Sequence, residues 1–180
     1  MSLTNPAGAG PAQADAYIHA LLDLLGERDP FAVQEELPGA VGRLIDGVPE
    51  EALRRPERTG KWSMLQVLGH LVDTEVINAW RVRRIVAEDR PPIEAYDQDR
   101  WAAVLPYGDD PWREALDELA ALRRRNLRLY RSLGPAALDR VGLHAERGEE
   151  SARRLLRMTA GHDLAHRRQL ARIRRAVLGG

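Results

Sequence analysis

A chain of 180 residues that is 44% hydrophobic but only 5% aromatic has material for one aliphatic core, and 27 basic residues against 27 acidic ones leave it with no net charge. That balance argues against a dominant nucleic-acid or anionic-membrane footprint. The absence of cysteine removes disulfides, thiolate metal sites and a cysteine nucleophile together.

Residues 1–12 are small, Pro/Gly-rich and uncharged, the composition of a flexible tail. They have neither a basic nor an apolar leader region, and no later apolar run is long enough to span a bilayer, so the expected address is the cytoplasm. Residues 13–180 read as a single helical domain. A first helix is expected over 13–27, where Tyr17, Ile18, Leu21, Leu22 and Leu25 recur at helical spacing. Asp29-Pro30 then supplies an N-cap and a proline at the first helical position, opening a second helix to about Asp46. Pro38-Gly39 is expected to bend or interrupt it. Ser63 and Gln66 have the spacing of a capping box, flanked by Trp62 and Val67 at the positions of a hydrophobic staple. The helix they open runs to about Glu88, before Arg90-Pro91-Pro92. Asp110-Pro111 opens another, to about Leu133, which Gly134-Pro135 stops. A last helix is expected from about Glu150 to Leu178.

No strand-like alternation is legible anywhere. Long helices on an aliphatic core therefore predict an all-α fold, an antiparallel four-helix bundle with an extra N-terminal helix. The connection Asp89–Asp109 is long for a bundle, and connections of that length usually perform a function or hold a short helix. Its Tyr96, Asp97, Asp99 and Trp101 are candidates for a pocket wall.

Five histidines are present. In the last helix, Leu155, Thr159, His162, His166, Ile173 and Val177 follow one stripe, so two imidazoles face inward one turn apart. His70 lies inward on the helix opened by Ser63, with Val67 before it and Ile77 after. Three inward imidazoles are either core groups bonded to backbone or the ligands of one divalent ion, for which neutral imidazole is suited. His19, in the first helix, and His144, in a loop, read as surface residues. Asp73 follows His70 by one turn and is a candidate to orient an imidazole. Asp163 points off the ligand stripe and reads as a solvated carboxylate.

The segments "GKWSMLQVLGHLVDTE", "AYDQDRWA" and "HAERGEESARRLLRMTAGHDLAHRRQL", in that order, resemble the DinB superfamily of small bacterial four-helix-bundle proteins. This family includes YfiT-like metal-dependent hydrolases and thiol S-transferases. The resemblance spans about residues 30–177 and implies that His70, His162 and His166 bind one metal ion, with Zn, Ni and Fe as candidates. It further implies an open position for water or a thiolate, a small-molecule substrate (a low-molecular-weight thiol such as bacillithiol among the possible cosubstrates) and a homodimer. Many members read H-x-x-H-H where this chain has Ala165; the ligand positions are unaffected. Two non-enzymatic alternatives stand beside this reading. One is a bundle that the ion merely stabilises. The other is an interaction protein using the Arg-rich helix 121–131, against which zero net charge favours an Arg face paired to acidic neighbours, with neither nucleic acid nor membrane as partner.

Overall fold

The computed structural model describes residues 11–109 and 111–179. Helix α1 (Pro11–Leu25) is followed by α2 (Pro30–Ile45), a single turn α3 (Glu50–Leu53) and the long α4 (Met64–Ala87). Then come a two-residue strand β1 (Pro92–Ile93), α5 (Gln98–Val104), α6 (Trp112–Ser132) and the short α7 (Pro135–Leu138). A hairpin of β2 (Val141–His144) and β3 (Gly148–Ser151) leads directly into α8 (Ala152–Val177). Because α1 starts at Pro11, residues 11 and 12 of the expected tail are helical, while residues 1–10, like Asp110, lie outside the described residues. No described helix is long and apolar enough to cross a membrane.

Local chemistry sets the helix starts. The Asp29 carboxylate accepts from the Phe31 N–H at 3.0 Å ahead of α2. At α4 both halves of the capping box are made: Ser63 Oγ accepts from the Gln66 N–H at 3.2 Å and Gln66 Oε1 from the Ser63 N–H at 2.9 Å. Asp97 caps α5 and Ser151 caps α8 in the same manner.

Three expectations are corrected. Pro38 does not interrupt α2, which runs through it to Ile45. A proline removes the N–H that would bond the carbonyl four residues earlier, here that of Gln34, and the buried Arg123 guanidinium donates to that carbonyl at 3.4 Å. Second, strands exist. β2 and β3 pair antiparallel from Val141↔Ser151 to His144↔Gly148, and β1 pairs parallel to β2 through Pro92↔Leu143 and Ile93↔His144. Third, Glu150 belongs to β3, so α8 begins two residues later than expected.

Helices α2, α8, α4 and α6 form the ring of the bundle in that spatial order, with α1 laid against α8. Cross-links give the directions. Gln34 bonds the Leu156 carbonyl and Arg174 that of Leu44, so α2 and α8 run parallel. His70 meets His162 and Asn78 meets Thr159, so α4 and α8 are antiparallel. Ion pairs Asp46–Arg113 and Glu35–Arg131 make α2 and α6 antiparallel. It follows that α4 and α6 run parallel, and the chain must return the full length of α4, about 36 Å at 1.5 Å per residue, before α6 can begin. The long connection is that return. Glu94 O accepts from Arg81 toward the end of α4, whereas Ala102 O accepts from Gln66 and Tyr107 lies on Gly69 near its start. Only glycine fits there, because a Cβ at position 69 would sit 2.3 Å from the Tyr107 ring.

The apolar core is divided. One cluster joins Val41, Leu68, Leu71, Leu119, Leu170 and Ile173 at one end of the bundle. Another joins Val82, Ile85, Leu127, Tyr130 and Leu155 at the other. Between them lies a buried polar layer containing Gln34, His70, Glu75, Arg123, Asn126, Asp163 and His166.

Candidate metal centre

His70, in the second turn of α4, meets His162 and His166 of α8 across the antiparallel contact. The Nε2 atom of His162 lies 3.0 Å from Nε2 of His70 and 3.0 Å from Nε2 of His166, and one nitrogen from each ring falls within 4.8 Å of the others. His70 and His166 are buried and His162 is partly open. Trp62, just ahead of the α4 cap, stacks nearly parallel to His166 at 6.3 Å and tilts against His70 at 4.9 Å, closing one side of the cluster.

Burial disfavours the imidazolium form of all three rings and their mutual proximity adds to the effect for two of them. His166 is pushed down to about 4, mainly by burial, and His70 and His162 well below the ordinary value by burial and then by His166. At neutral pH these are three uncharged bases. The second nitrogens bear on whether an ion fits. His166 Nδ1 lies 2.8 Å from Gln169 Oε1; donating its proton there leaves the Nε2 lone pair aimed at the other two rings. A carbonyl partner of this kind orients metal-bound histidine and fixes its tautomer. Tetrahedral Zn–N bonds of about 2.0–2.1 Å place ligand nitrogens roughly 3.3 Å apart, close to the observed separations. The residues fit a divalent cation.

Beneath the histidines is a dry ion cluster. The Arg123 guanidinium pairs with Glu75 at 3.0 Å and with both oxygens of Asp163, all three side chains being 2% exposed or less. Asn126 satisfies the second Glu75 oxygen at 2.9 Å and Gln34 Oε1 accepts from Arg123 at 3.2 Å. Asp163 is therefore not the solvated carboxylate expected. It is buried by a partner on α6 that its own helix cannot reveal, and burial pushes its carboxyl up to about 6 against the opposing pull of Arg123.

Asp73 does not orient an imidazole. Its carboxylate takes the hydrogen bond of the Tyr107 hydroxyl, tying the return segment to α4, and burial raises it above the usual carboxylate range. His19 is exposed, as expected. His144 is not the loop residue expected: it ends β2 and is 3% exposed. Its Nδ1 accepts from the Glu146 N–H at 3.1 Å, and burial pushes its pKa down to about 3. Of the aromatic segment, Tyr96 faces a cavity and Trp101 packs on the Tyr96 ring at 4.8 Å; Asp97 caps α5 and Asp99 is exposed in its first turn.

That cavity, about 90 Å³, adjoins the histidines, and His162 forms part of its lining. Leu21 of α1 and Thr159 of α8 border it, as do Asn78 and Arg81 of α4. The connections complete it: Tyr96 from the return segment, and His144, Glu146 and Arg147 from the hairpin. Gly161 lets α1 approach, since a Cβ there would lie 2.2 Å from the Leu21 carbonyl oxygen.

The model of the DinB superfamily matches residues 35–170 of this chain. The chain belongs to the DinB superfamily. Among relatives of this DinB-superfamily protein, one from Bacillus mycoides is 31% identical over 140 residues, covering 78% of this chain and 80% of the relative. Another, from Oceanobacillus iheyensis, is 30% identical over 132 residues, covering 73% and 76%. Each bears the name "Putative metal-dependent hydrolase". The fold matches YfiT from Bacillus subtilis with a TM-score of 0.74 at 21% identity, over 96% of this chain and 91% of that one. YfiT is described as "a probable metal-dependent hydrolase with an unusual four-helix bundle topology".

Arg81, Asn78 and Thr74 were not singled out from the sequence of this DinB-superfamily chain, yet the signal was there. They stand eleven, eight and four residues after His70 and so continue its inward stripe along α4 as a polar line.

Proposed function

We propose that this protein is a metal-dependent hydrolase of a small molecule, with one divalent ion held by the Nε2 atoms of His70, His162 and His166. The observation that carries the reading is the convergence of three uncharged imidazole nitrogens beside a cavity of about 90 Å³. When bound, a divalent ion at an open three-histidine site supplies Lewis acidity and lowers the pKa of water toward ~7.

The chain's own residues provide the setting. Gln169 Oε1 holds the His166 Nδ1 proton, keeping Nε2 free to coordinate. Trp62 and the adjoining apolar cluster exclude water from the side of the rings facing away from the cavity. Thr74 Oγ donates to the His70 carbonyl within α4 at 2.8 Å, and Asn78 donates to Thr159 across the contact at 2.9 Å, which ties α4 to α8 next to the ligands.

The test is metal content by elemental analysis of protein purified without chelator, alongside His70→Ala and His162→Ala, followed by a panel of ester and amide substrates with and without a low-molecular-weight thiol. About one equivalent in wild type, lost in both variants, with thiol-independent turnover, is the expected result. Thiol-dependent turnover would instead identify an S-transferase, and metal-dependent stability without turnover a structural ion. A wild-type protein that neither carries nor rebinds a divalent ion overturns the reading. The homodimer and cytoplasmic address belong to the same proposal, measurable by light scattering and cell fractionation.

A further inference from the structure

The cavity contains more hydrogen-bonding capacity than the fold uses. Arg81 is 6% exposed and makes no ion pair among the described residues. One terminal nitrogen donates to the Glu94 carbonyl at 2.7 Å, while its buried Nε has no partner. His144 is in the same position. Because its Nδ1 accepts from the Glu146 N–H, the ring proton of the neutral form is on Nε2, and that buried nitrogen also lacks a partner. Burying an unpaired polar donor is costly, and burying a guanidinium that makes no ion pair costs more. Two such groups lining one cavity beside a metal site are the signature of a recognition element awaiting an acceptor.

The surrounding charges define where that acceptor sits. Arg147 is bidentate to the buried Glu150, at 3.0 and 2.8 Å, so that pair is internally balanced. Glu150 and Glu146 both bear on Arg81, Glu146 less than Glu150. Glu146 also lines the cavity, and the seat for an anion therefore lies toward Arg81 and His144. Tyr96, whose ring is 5.9 Å from the Arg81 guanidinium, covers the cation from the side of the return segment. At roughly 10–15 Å³ for each water admitted, the cavity takes several waters, or a small organic group.

We infer that the cavity lined by Arg81 and His144 binds an oxyanion, the carboxylate or phosphate of the substrate, and thereby presents the rest of the molecule to His162 and its two partner histidines. This rests on the metal-dependent reading for its catalytic meaning, but the anion seat is testable without a metal. Chelator-treated protein, labelled with ¹⁵N, would be titrated separately with succinate and with inorganic phosphate while the Arg81 Nε–H and His144 Nε2–H resonances are followed. The expected result is a saturable shift of both signals with at least one of the probes. Arg81→Gln and His144→Gln should each weaken binding tenfold or more, a charge-assisted hydrogen bond being worth that much, and Arg81→Lys should recover part of it.

Binding of succinate alone names a carboxylate as the ligand, and binding of phosphate alone a phosphate. Elemental analysis of the metal-reloaded variants separates the two proposals, since Arg81→Gln and His144→Gln should hold the ion like wild type. If neither probe shifts the two resonances, or if both variants, folded by circular dichroism, bind as wild type does, the anion seat is overturned while the metal centre stands. Loss of metal by wild type with anion binding intact would overturn the hydrolase instead.

Discussion

Replacing Arg123 by methionine is the sharpest test of the polar layer. The guanidinium is 2% exposed and is shared between Glu75 at 3.0 Å and Asp163, which are no more exposed than it is. Methionine fills similar space but leaves two carboxylates facing one another without a cation. Removing one partner of a buried pair costs about 3–5 kcal/mol, equivalent to roughly 6–20 °C in Tm at ~2–4 °C per kcal/mol for a chain of this size. Protonation is the escape. The Asp163 carboxyl already stands at about 6 with Arg123 beside it and rises further without it. A carboxyl raised in the folded state above its unfolded value binds protons preferentially when folded, so its burden on stability grows as pH rises through that window. The loss should therefore be near its full size at pH 8 and distinctly smaller at pH 5. Urea denaturation of chelator-treated wild type and Arg123→Met at both pH values measures it, and adding Glu75→Gln and Asp163→Asn should restore most of the stability. A loss below ~1 kcal/mol at pH 8, or one indifferent to pH, would show that the layer is not the dry, paired cluster described above.

Two further outcomes are expected. His166 and His144 are depressed to about 4 and about 3, with His70 and His162 also well below the ordinary value of 6.5. The unfolded chain therefore takes up protons first, and metal-free stability is lost as pH falls from about 6.5 toward 4; the raised carboxyls of Asp163 and Asp73 oppose this, but they are two groups against four. Denaturation midpoints at pH 7.5 and 5 read the sign, and a rise on acidification contradicts it. Gly161→Ala places a methyl 2.2 Å from the Leu21 carbonyl oxygen, which should force α1 off α8 at a cost of about 1–3 kcal/mol. Faster hydrogen exchange confined to α1 is the check, and unchanged protection there would mean that the contact yields easily.

What the sequence made legible was local. The capping box at Ser63–Gln66, the Asp29-Pro30 start and the two stripes that carry His70 on one helix and His162 and His166 on another all depend on spacings of seven residues or fewer between neighbours, and helix geometry turns such spacings into positions. What it hid was non-local. β1 is two residues long and pairs with a strand some fifty residues away, too short for alternation to register. Asp163 is buried by Arg123 and the continuity of α2 past Pro38 is helped by the same side chain, neither contact being visible from one helix alone. His144 lies within a strand that only its partner strands define.

The return path of the chain along α4 has a consequence for how such a protein can change. The three clustered imidazole nitrogens stand on α4 and α8, whose spacing is set by packing on both sides, so those two helices have little freedom to drift. Much of what shapes the neighbouring hollow arrives on the connections, Tyr96 before α5 and His144 to Arg147 in the hairpin. Insertions or substitutions there reshape the hollow while the histidine cluster stays in place. The bundle behaves as a fixed anvil with replaceable jaws, so the hollow can change shape without disturbing the histidines beside it.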